Sequence, residues 1–233
     1  MALIEFKNVT KEYLTGFHQL KALDNTSFSI EKGEFVVILG PSGAGKSTLL
    51  NLLGGMDSVT SGEIIVDGKN IASYNEKQLT KYRAQDVGFV FQFYNLIPTL
   101  TAYENIELVS DICKNALSPT EVLEQVGLLD HKLQFPSQLS GGEQQRVSIA
   151  RAVSKNPKML LCDEPTGALD SETGVQILTL LQNLSRQHEK TVVIVTHNSA
   201  LAEAADKVIR VKNGKIKSVT LAENPKAVRE VVW

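Results

Sequence analysis

The residues best suited to chemistry form a glycine-rich loop within the first fifty residues. The loop reads Gly40, Pro41, Ser42, Gly43, Ala44, Gly45, Lys46 and Ser47. Its glycines let backbone N–H groups face phosphate oxygens, and the helix that follows adds positive potential. Lys46 can reach the outer phosphates of a nucleoside triphosphate, and the Ser47 hydroxyl can ligate Mg²⁺. A ligand-free turn is the alternative, but the order of strand, loop, Lys-Ser and helix favours phosphate binding. We predict that the loop, with Thr48 at the start of the helical run, binds ATP.

Two acidic residues follow the apolar run 159–162. An apolar strand that ends in an acid is how phosphate-loop enzymes bring a carboxylate to the metal. Asp163 is therefore the candidate for the Mg²⁺ shell, and Glu164 is the candidate base for the attacking water. A solvated turn is the alternative for such a pair when it stands alone. The glycine loop elsewhere in the chain favours the metal site.

A second candidate phosphate site lies in the segment 139–144. Its four central residues precede a helical run, and a helix start offers free N–H groups. They are Ser140, Gly141, Gly142 and Glu143. Taken alone, the segment is better explained as an N-capped helix with a flexible entry. With the glycine loop, it gives the chain two predicted phosphate-binding helix starts.

The elements that must position these residues show two hydrophobic patterns. Four apolar runs lack alternation, which is typical of parallel strands covered by helices on both faces. They are Phe35–Leu39, Val87–Phe91, Met159–Cys162 and Thr191–Thr196. Three segments alternate, which predicts a small antiparallel sheet. They are Ile4–Val9, Ser27–Ile30 and Glu63–Val66, the last followed by an Asp67-Gly68 turn. The predicted class is α/β with a mostly parallel sheet.

Helix signals dominate the middle of the chain. Ser118 to Glu121 reads as a capping box with proline at the first helical position. After Asp170, Val175, Leu178, Leu181 and Leu184 predict a helix with one buried stripe. We predict a single domain over 1–233, in which 1–92 and 158–233 form the core. Residues 93–157 are predicted to form an inserted helical subdomain that carries the Ser140 segment.

Composition excludes several classes of protein. The chain has 233 residues, 42% of them hydrophobic, and a formal net charge of −2. This charge gives no general reason to bind nucleic acid, and no nucleic-acid partner is predicted. Cys113 and Cys162 are far apart and predicted to be reduced, buried thiols. The start of the chain lacks the apolar core of a signal peptide, and the longest apolar runs are too short to span a bilayer.

Six motifs, taken in order, carry a resemblance to a known family. They are the glycine loop, Gln92 after a strand, 139–143, 159–164, 167–170, and His197 after a strand. The chain resembles, over nearly its whole length, the nucleotide-binding subunit of an ABC transporter. The resemblance implies a RecA-like P-loop NTPase fold that uses ATP and Mg²⁺.

The resemblance also implies roles for single residues within one subunit. Tyr13 would stack on adenine, although a partly buried tyrosine in a turn is the alternative. Gln92 would ligate Mg²⁺ beside Ser47 and Asp163 and link ATP to a membrane partner. His197 would contact the γ-phosphate. Together with Lys46 and Glu164, Gln92 and His197 complete the implied catalytic set.

Other roles implied by the resemblance involve a second copy of the chain. Ser140, Gly141, Gly142 and Glu143 would touch the ATP held by the opposite subunit, and Asp170 would communicate across the dimer. Two copies would pack head to tail with each ATP between them. ATP binding would then close the homodimer and hydrolysis would loosen it, which is a ligand-driven shift of population.

Several stretches resemble the MacB/LolD/FtsE-type group more narrowly. They are 52–57, 60–63, 88–92, 95–98 and 163–170. That group implies a separate permease with few membrane helices and a large extracytoplasmic domain, at the cytoplasmic face of a bacterial membrane. The work would be export of macrolides or antimicrobial peptides, lipoprotein release, or transmission of force. The cargo stays open.

An apolar cluster surrounds Gln92. It consists of Phe91, Phe93, Tyr94, Leu96, Ile97, Leu100 and Tyr103. Periodicity alone would place it in the core, whereas the resemblance favours a groove that receives the permease, since an exposed apolar patch needs a partner. The tail from Val219 to Trp233 matches no general motif of the family, and Trp233 could pack on the core or on a partner.

Two other functions compete with transport. A soluble ABC ATPase of translation or DNA repair usually has two cassettes in one chain or a long coiled-coil insertion. This sequence has one cassette, no heptad run and no basic excess. An ATP-gated scaffold without hydrolysis is opposed by the presence of Glu164, His197 and Gln92.

Overall fold

A computed structural model describes residues 2–15, 18–109, 112–113 and 115–232. Its smaller sheet is antiparallel and has the strand order β2-β1-β4-β5. The strands are β1 (Ala2–Thr15), β2 (His18–Glu31), β4 (Ser61–Val66) and β5 (Lys69–Asn70). The three alternating segments lie in β1, β2 and β4, so the predicted antiparallel sheet is confirmed. Asp67 and Gly68 both have positive φ in the β4–β5 turn, as a type I′ hairpin requires.

The larger sheet has six strands in the order β10-β9-β3-β8-β7-β6. The strands are β3 (Phe35–Leu39), β6 (Val87–Val90), β7 (Met159–Asp163), β8 (Thr191–Thr196), β9 (Lys207–Lys212) and β10 (Lys215–Leu221). β10 runs antiparallel to β9, whereas the other pairings are parallel. β3 and β8 are buried along their whole length. The predicted α/β class with a mostly parallel sheet is confirmed.

Six α-helices accompany the sheets within the described residues. They are α1 (Lys46–Leu53), α2 (Glu76–Gln85), α3 (Ala102–Glu107), α4 (Pro119–Gln125), α5 (Gly141–Ser154) and α6 (Ser171–His188). α6 buries Leu178, Leu181 and Leu184, so the predicted apolar stripe is confirmed. Proline does occupy the first position of α4, but the capping box there is wrong. The Ser118 side chain makes no capping hydrogen bond, and its φ and ψ are −58° and 131°.

The core divides across the two faces of the larger sheet because side chains alternate along each strand. Phe35, Val37 and Leu39 of β3 pack into a cluster with α5 and α6. Val36 and Ile38 pack into a second cluster with α1 and the antiparallel sheet. The sheet is therefore covered on both sides, as its continuous apolar strands predict.

The described part of 93–157 contains helices and 3₁₀ turns without a strand. The exact limits of the helical subdomain stay a prediction. Cys113 and Cys162 are both free and buried. Among the described residues, no helix is long and apolar enough to cross a membrane.

The tail packs against the core. Val228 and Val231 are buried among the residues around α6. Gln182 of α6 donates to the carbonyls of Ala204 and Lys226 and accepts from the Val228 N–H. Trp233, whose packing the sequence left open, lies outside the described residues.

Candidate nucleotide-binding site

The glycine loop joins the carboxyl end of β3 to α1, as predicted. Gly43 and Gly45 have φ of 74° and 101°, a region that residues with a side chain rarely adopt. A Cβ on Gly45 would lie 2.3 Å from the Ala22 carbonyl oxygen. The loop is therefore folded closely against β2, and glycine is required at that point.

Lys46 is held across the loop. Its Nζ donates to the carbonyl oxygens of Gly40 at 2.8 Å and Pro41 at 3.1 Å, and the residue is 8% exposed. A buried ammonium group needs such partners. The ammonium group is thus held beside the backbone amides of the loop. Phosphate oxygens bound there would be further hydrogen-bond acceptors for it.

A cavity of about 490 Å³ opens beside the loop. Its wall combines loop residues with residues from both sheets: Tyr13, Leu20, Lys21, Ala22, Gly43, Gly45, Lys46, Ser47, Thr48, Asn213 and Gly214. The structure therefore brings Tyr13, some thirty residues away in sequence, to the same cavity as Lys46, Ser47 and Thr48. The volume suits a small ligand.

Ser47 and Asp163 meet where β3 and β7 end. The Ser47 Oγ lies 3.4 Å from the Asp163 Oδ1. Burial raises the pKa of Asp163, the Ser47 contact lowers it, and the charge of Glu164 raises it again. A hydroxyl and one carboxylate fit Mg²⁺, which takes few protein ligands and completes its shell with phosphates and water. Bound there, the ion would neutralise charge on the phosphates.

Glu164 is held by residues at the end of β8. Its carboxylate accepts from the His197 N–H at 3.0 Å and from the Thr196 hydroxyl at 3.0 Å, and His197 Nδ1 lies 2.9 Å away. Glu164 has φ of 46°, which is uncommon for a residue with a side chain and marks local strain. The His197 side chain is 72% exposed. The structure thus brings two predicted catalytic residues into direct contact.

Gln92 lies beyond the end of β6, against the segment that follows β7. A Cβ on Gly167 would lie 2.9 Å from the Gln92 Nε2. Buried Gln145 of α5 ties the same two segments together, since it donates to the carbonyls of Phe91 and Pro165. Gln92 therefore rests on the loop that carries Glu164 toward α6.

The segment Ser140–Glu143 forms the capped start of α5. The Ser140 N–H and hydroxyl donate to the Glu143 carboxylate at 2.7 Å and 2.8 Å, and the Glu143 N–H donates back to Ser140 Oγ at 3.3 Å. The Ser140 backbone hydrogen bond lowers the pKa of Glu143. The helix is N-capped, as the alternative described it. Among the described residues, those of this segment are absent from the cavity wall.

Asp170 caps the start of α6 in the same way. Its Oδ1 accepts from the Thr173 N–H at 2.9 Å, and this bond lowers its pKa. Thr173 in turn lies against α5, because a Cβ on Gly142 would meet its methyl group at 2.3 Å. The starts of α5 and α6 are packed together, so the Ser140 and Asp170 segments belong to one surface.

Sequence reasoning missed several residues of the site. Lys11 and Asp57 flank Tyr13, and Thr196 binds Glu164. No spacing rule connects Lys11 with Asp57 across 46 residues. The β9–β10 hairpin that brings Asn213 and Gly214 to the cavity did have a signal, since Asn-Gly between two apolar runs favours a type I′ turn. Both residues have positive φ there.

Comparisons with known proteins agree with the fold. Residues 23–167 match the family model described as ABC transporter. The chain is 46% identical to the uncharacterized ABC transporter ATP-binding protein MJ0796 of Methanocaldococcus jannaschii, over 92% of this chain and 95% of that protein. A solved dimeric, post-hydrolysis structure of that cassette bound to ADP and Pi aligns with a TM-score of 0.86 and 43% identity. The alignment covers 95% of this chain and 99% of that one.

Two longer relatives match as well. The chain is 45% identical to the putative ABC transporter ATP-binding protein MG065 of Mycoplasma genitalium, over 99% of this chain, but it spans about half of that protein's length. It is 42% identical to the macrolide export ATP-binding/permease protein MacB of Rhodopirellula baltica, over 92% of this chain and 32% of that protein.

The fold, with its glycine-rich phosphate loop, is that of an ATP-binding cassette. The chain belongs to the ABC transporter family. The resemblance to ATP-binding subunits of the MacB-like group, read from the motifs, is confirmed.

Proposed function

We propose that the chain binds ATP in the cavity beside the glycine loop and hydrolyses it between two copies of itself. One observation carries the proposal: Tyr13 lines the same cavity as Gly43, Gly45, Lys46 and Ser47 of the loop. Ser47 also contacts Asp163 at the carboxyl ends of the parallel strands. Ligands bind at this edge in open α/β sheets. Tyr13 stacks on adenine, the amides of the loop and Lys46 hold the phosphates, and Ser47, Asp163 and Gln92 are the metal ligands.

In the proposed hydrolysis, water attacks the γ-phosphorus in line with the bond to the β,γ-bridging oxygen. That bond breaks, and ADP and inorganic phosphate are the products. Glu164 accepts the proton of that water, and His197 donates a hydrogen bond to the γ-phosphate. In the structure these two side chains are hydrogen-bonded to each other. Each would therefore hold the other in place until ATP binds, when His197 would turn to the γ-phosphate and Glu164 to the water. The partner subunit would complete the site, because the Ser140 segment lies outside the cavity wall.

Two features support a head-to-tail homodimer. The start of α5 offers backbone N–H groups and a positive helix end, which suit a phosphate from another subunit. Its packing against the start of α6 places Asp170 on the same surface. The dimeric state of the similar MJ0796 cassette points the same way. Each ATP would then be held between one copy's glycine loop and the other's Ser140–Gly142.

The proposed partner outside the dimer is a membrane permease of the MacB-like type with a large extracytoplasmic domain. The apolar cluster around Gln92 gives a surface for it: Phe93 is 70% exposed and Ile97 is 40% exposed, whereas Leu96 and Tyr103 pack on the core. A movement of Gln92 on ATP binding would shift the adjacent Phe93, which lies on the surface proposed to contact the permease. Export of macrolides or peptides, lipoprotein release and transmission of force are the candidate tasks, performed at the cytoplasmic side of the membrane.

Two substitutions test the enzyme. Lys46→Ala leaves the phosphates without their cation and should abolish detectable ATP binding by calorimetry. Glu164→Gln keeps the shape of the side chain but removes the base, so phosphate release should fall about a hundredfold or more while ATP still binds. Lys7→Met, on the exposed part of β1, is the control. Parent-rate hydrolysis by the Glu164 variant would remove Glu164 from its role.

A further inference from the structure

Tyr13 is tied to a charged pair behind it. Its hydroxyl donates to the Asp57 Oδ2 at 2.7 Å. The other carboxylate oxygen, Oδ1, accepts from the Lys11 Nζ at 2.6 Å and from the Ser58 N–H at 2.7 Å. Burial on its own would raise the pKa of Asp57, but hydrogen bonds from Lys11, Tyr13 and Ser58 bring it below its usual value. The carboxylate is therefore charged and fully engaged at neutral pH.

Lys11 also covers one face of the tyrosine ring. Its Nζ lies 4.8 Å from the ring centroid, within the range of a cation–π contact. Lys11 is 8% exposed, and its Nζ also donates to the Ser58 carbonyl at 2.7 Å. Tyr13 lines the cavity, whereas neither Lys11 nor Asp57 does. The cation thus lies over one face of a ring that borders the cavity.

The pair connects the ring to the phosphate loop through the backbone. Asp57 follows α1, the helix that begins in the loop at Lys46. The chain after Asp57 runs beside β1, where the Thr60 N–H donates to the Thr10 carbonyl and the Glu12 N–H to Thr60 Oγ1. The position of the ring relative to the loop is therefore held by α1, by these bonds and by a side-chain hydrogen bond between Tyr13 and Thr48.

We propose that Lys11 and Asp57 are positioning residues that hold the Tyr13 ring in the orientation that receives the base of the nucleotide. This inference rests on the proposed function, in which Tyr13 stacks on adenine. A ring fixed before binding loses less freedom when the base arrives, so affinity for the whole nucleotide rises. Affinity for the phosphates alone should be unaffected, because neither Lys11 nor Asp57 lines the cavity, although Asp57 is joined to the loop through α1.

The test compares two ligands by calorimetry: Mg·ATP and Mg·tripolyphosphate, which has the phosphates without the base. Lys11→Met, Asp57→Asn and Tyr13→Phe should each weaken ATP binding about three- to tenfold, from loss of a cation–π contact or a charged hydrogen bond. Tripolyphosphate affinity should stay within about twofold of the parent. Lys11→Arg should recover ATP affinity, and Lys7→Met, an exposed lysine on the same strand, should change neither ligand.

Three results would overturn the inference. Equal losses for both ligands would make the pair a structural support of the loop. Unchanged ATP affinity in Lys11→Met and Asp57→Asn, with a large loss in Tyr13→Ala, would refute the positioning role and leave the proposed stacking intact. Unchanged ATP affinity in Tyr13→Ala would refute both the positioning role and the proposed stacking of Tyr13 on adenine. Tyr13→Phe keeps the ring and its packing, so it decides the matter if the Lys11 variant fails to fold.

Discussion

At the scale of single residues, the negative charge of Asp163 destabilises the folded chain. The carboxylate is half-buried, and the neighbouring Glu164 adds a second negative charge. Its raised pKa means that the folded chain holds the proton more tightly than the unfolded chain does. The ionised carboxylate therefore lowers stability above that pKa. Such a cost is common where a group is needed for a ligand.

Asp163→Asn should consequently raise the melting temperature of the ligand-free chain at pH 7 to 8 and abolish Mg²⁺-dependent hydrolysis. The gain should shrink as the pH falls through the raised pKa, because the parent side chain is then neutral as well. Melting temperatures of the parent and the variant, measured from pH 8 down through the raised pKa, test this prediction.

Asp67→Asn is the matched control of opposite sign. Lys158 lowers the pKa of Asp67, so its ionised form stabilises the fold at neutral pH and that contribution is lost as the pH falls through the lowered pKa. The Asp67 variant should therefore melt lower than the parent at neutral pH. A lower melting temperature for Asp163→Asn at pH 7 to 8 would contradict the account.

At the scale of elements, the junction of α5 and α6 shows how two helix starts are joined. Ser140 caps α5, Asp170 caps α6, and the absent side chain of Gly142 makes room for the methyl group of Thr173. Helices pack this closely when one contributes a residue without a side chain.

Gly142→Ala should lower the free energy of unfolding by about 1–3 kcal/mol, the usual cost of overpacking. Adding Thr173→Ser removes the obstructing methyl group and keeps the backbone N–H that Asp170 caps, so most of the loss should be recovered. Urea unfolding of the single and double variants measures this. A double variant no more stable than Gly142→Ala would show that the methyl group is not the cause.

Many of the strands and helices could be predicted from the sequence. β3 and β8 begin and end where their apolar runs do, since each is covered on both faces. The capping box predicted at Ser118 is wrong, since the Ser118 side chain makes no capping hydrogen bond and sequence spacing does not determine whether it does. β9 alternates exposed and buried residues only at its end, and its first three residues are all buried, so the strand shows little periodicity.

At the scale of the whole molecule, the proposed site is distributed over two surfaces. The glycine loop, Tyr13 and Ser47 line one cavity, whereas Ser140–Glu143 and Asp170 lie together elsewhere. Each motif is local, so the sequence alone could name the proposed members of the site. It did not predict Lys11, Asp57 or Thr196, whose partners are brought to them by β1 pairing with β4 and β7 pairing with β8.

The central claim is that ATP joins these two surfaces across a homodimer. In the Glu164→Gln background, ATP should accumulate unhydrolysed and hold two copies together. Adding Ser140→Asp leaves a residue that can cap α5. It removes the hydroxyl that donates to Glu143 and places a negative charge against the partner's phosphates. Ser140→Asn is the neutral control, since asparagine also caps.

Sedimentation velocity with Mg·ATP is the most direct measurement. The account predicts a dimer for Glu164→Gln, a monomer without nucleotide, a monomer for Glu164→Gln with Ser140→Asp, and a detectable dimer for Glu164→Gln with Ser140→Asn. ATP affinity of the Ser140→Asp monomer should match that of the parent monomer. A dimer that persists with Ser140→Asp, or a monomer for Glu164→Gln at saturating ATP, would contradict it.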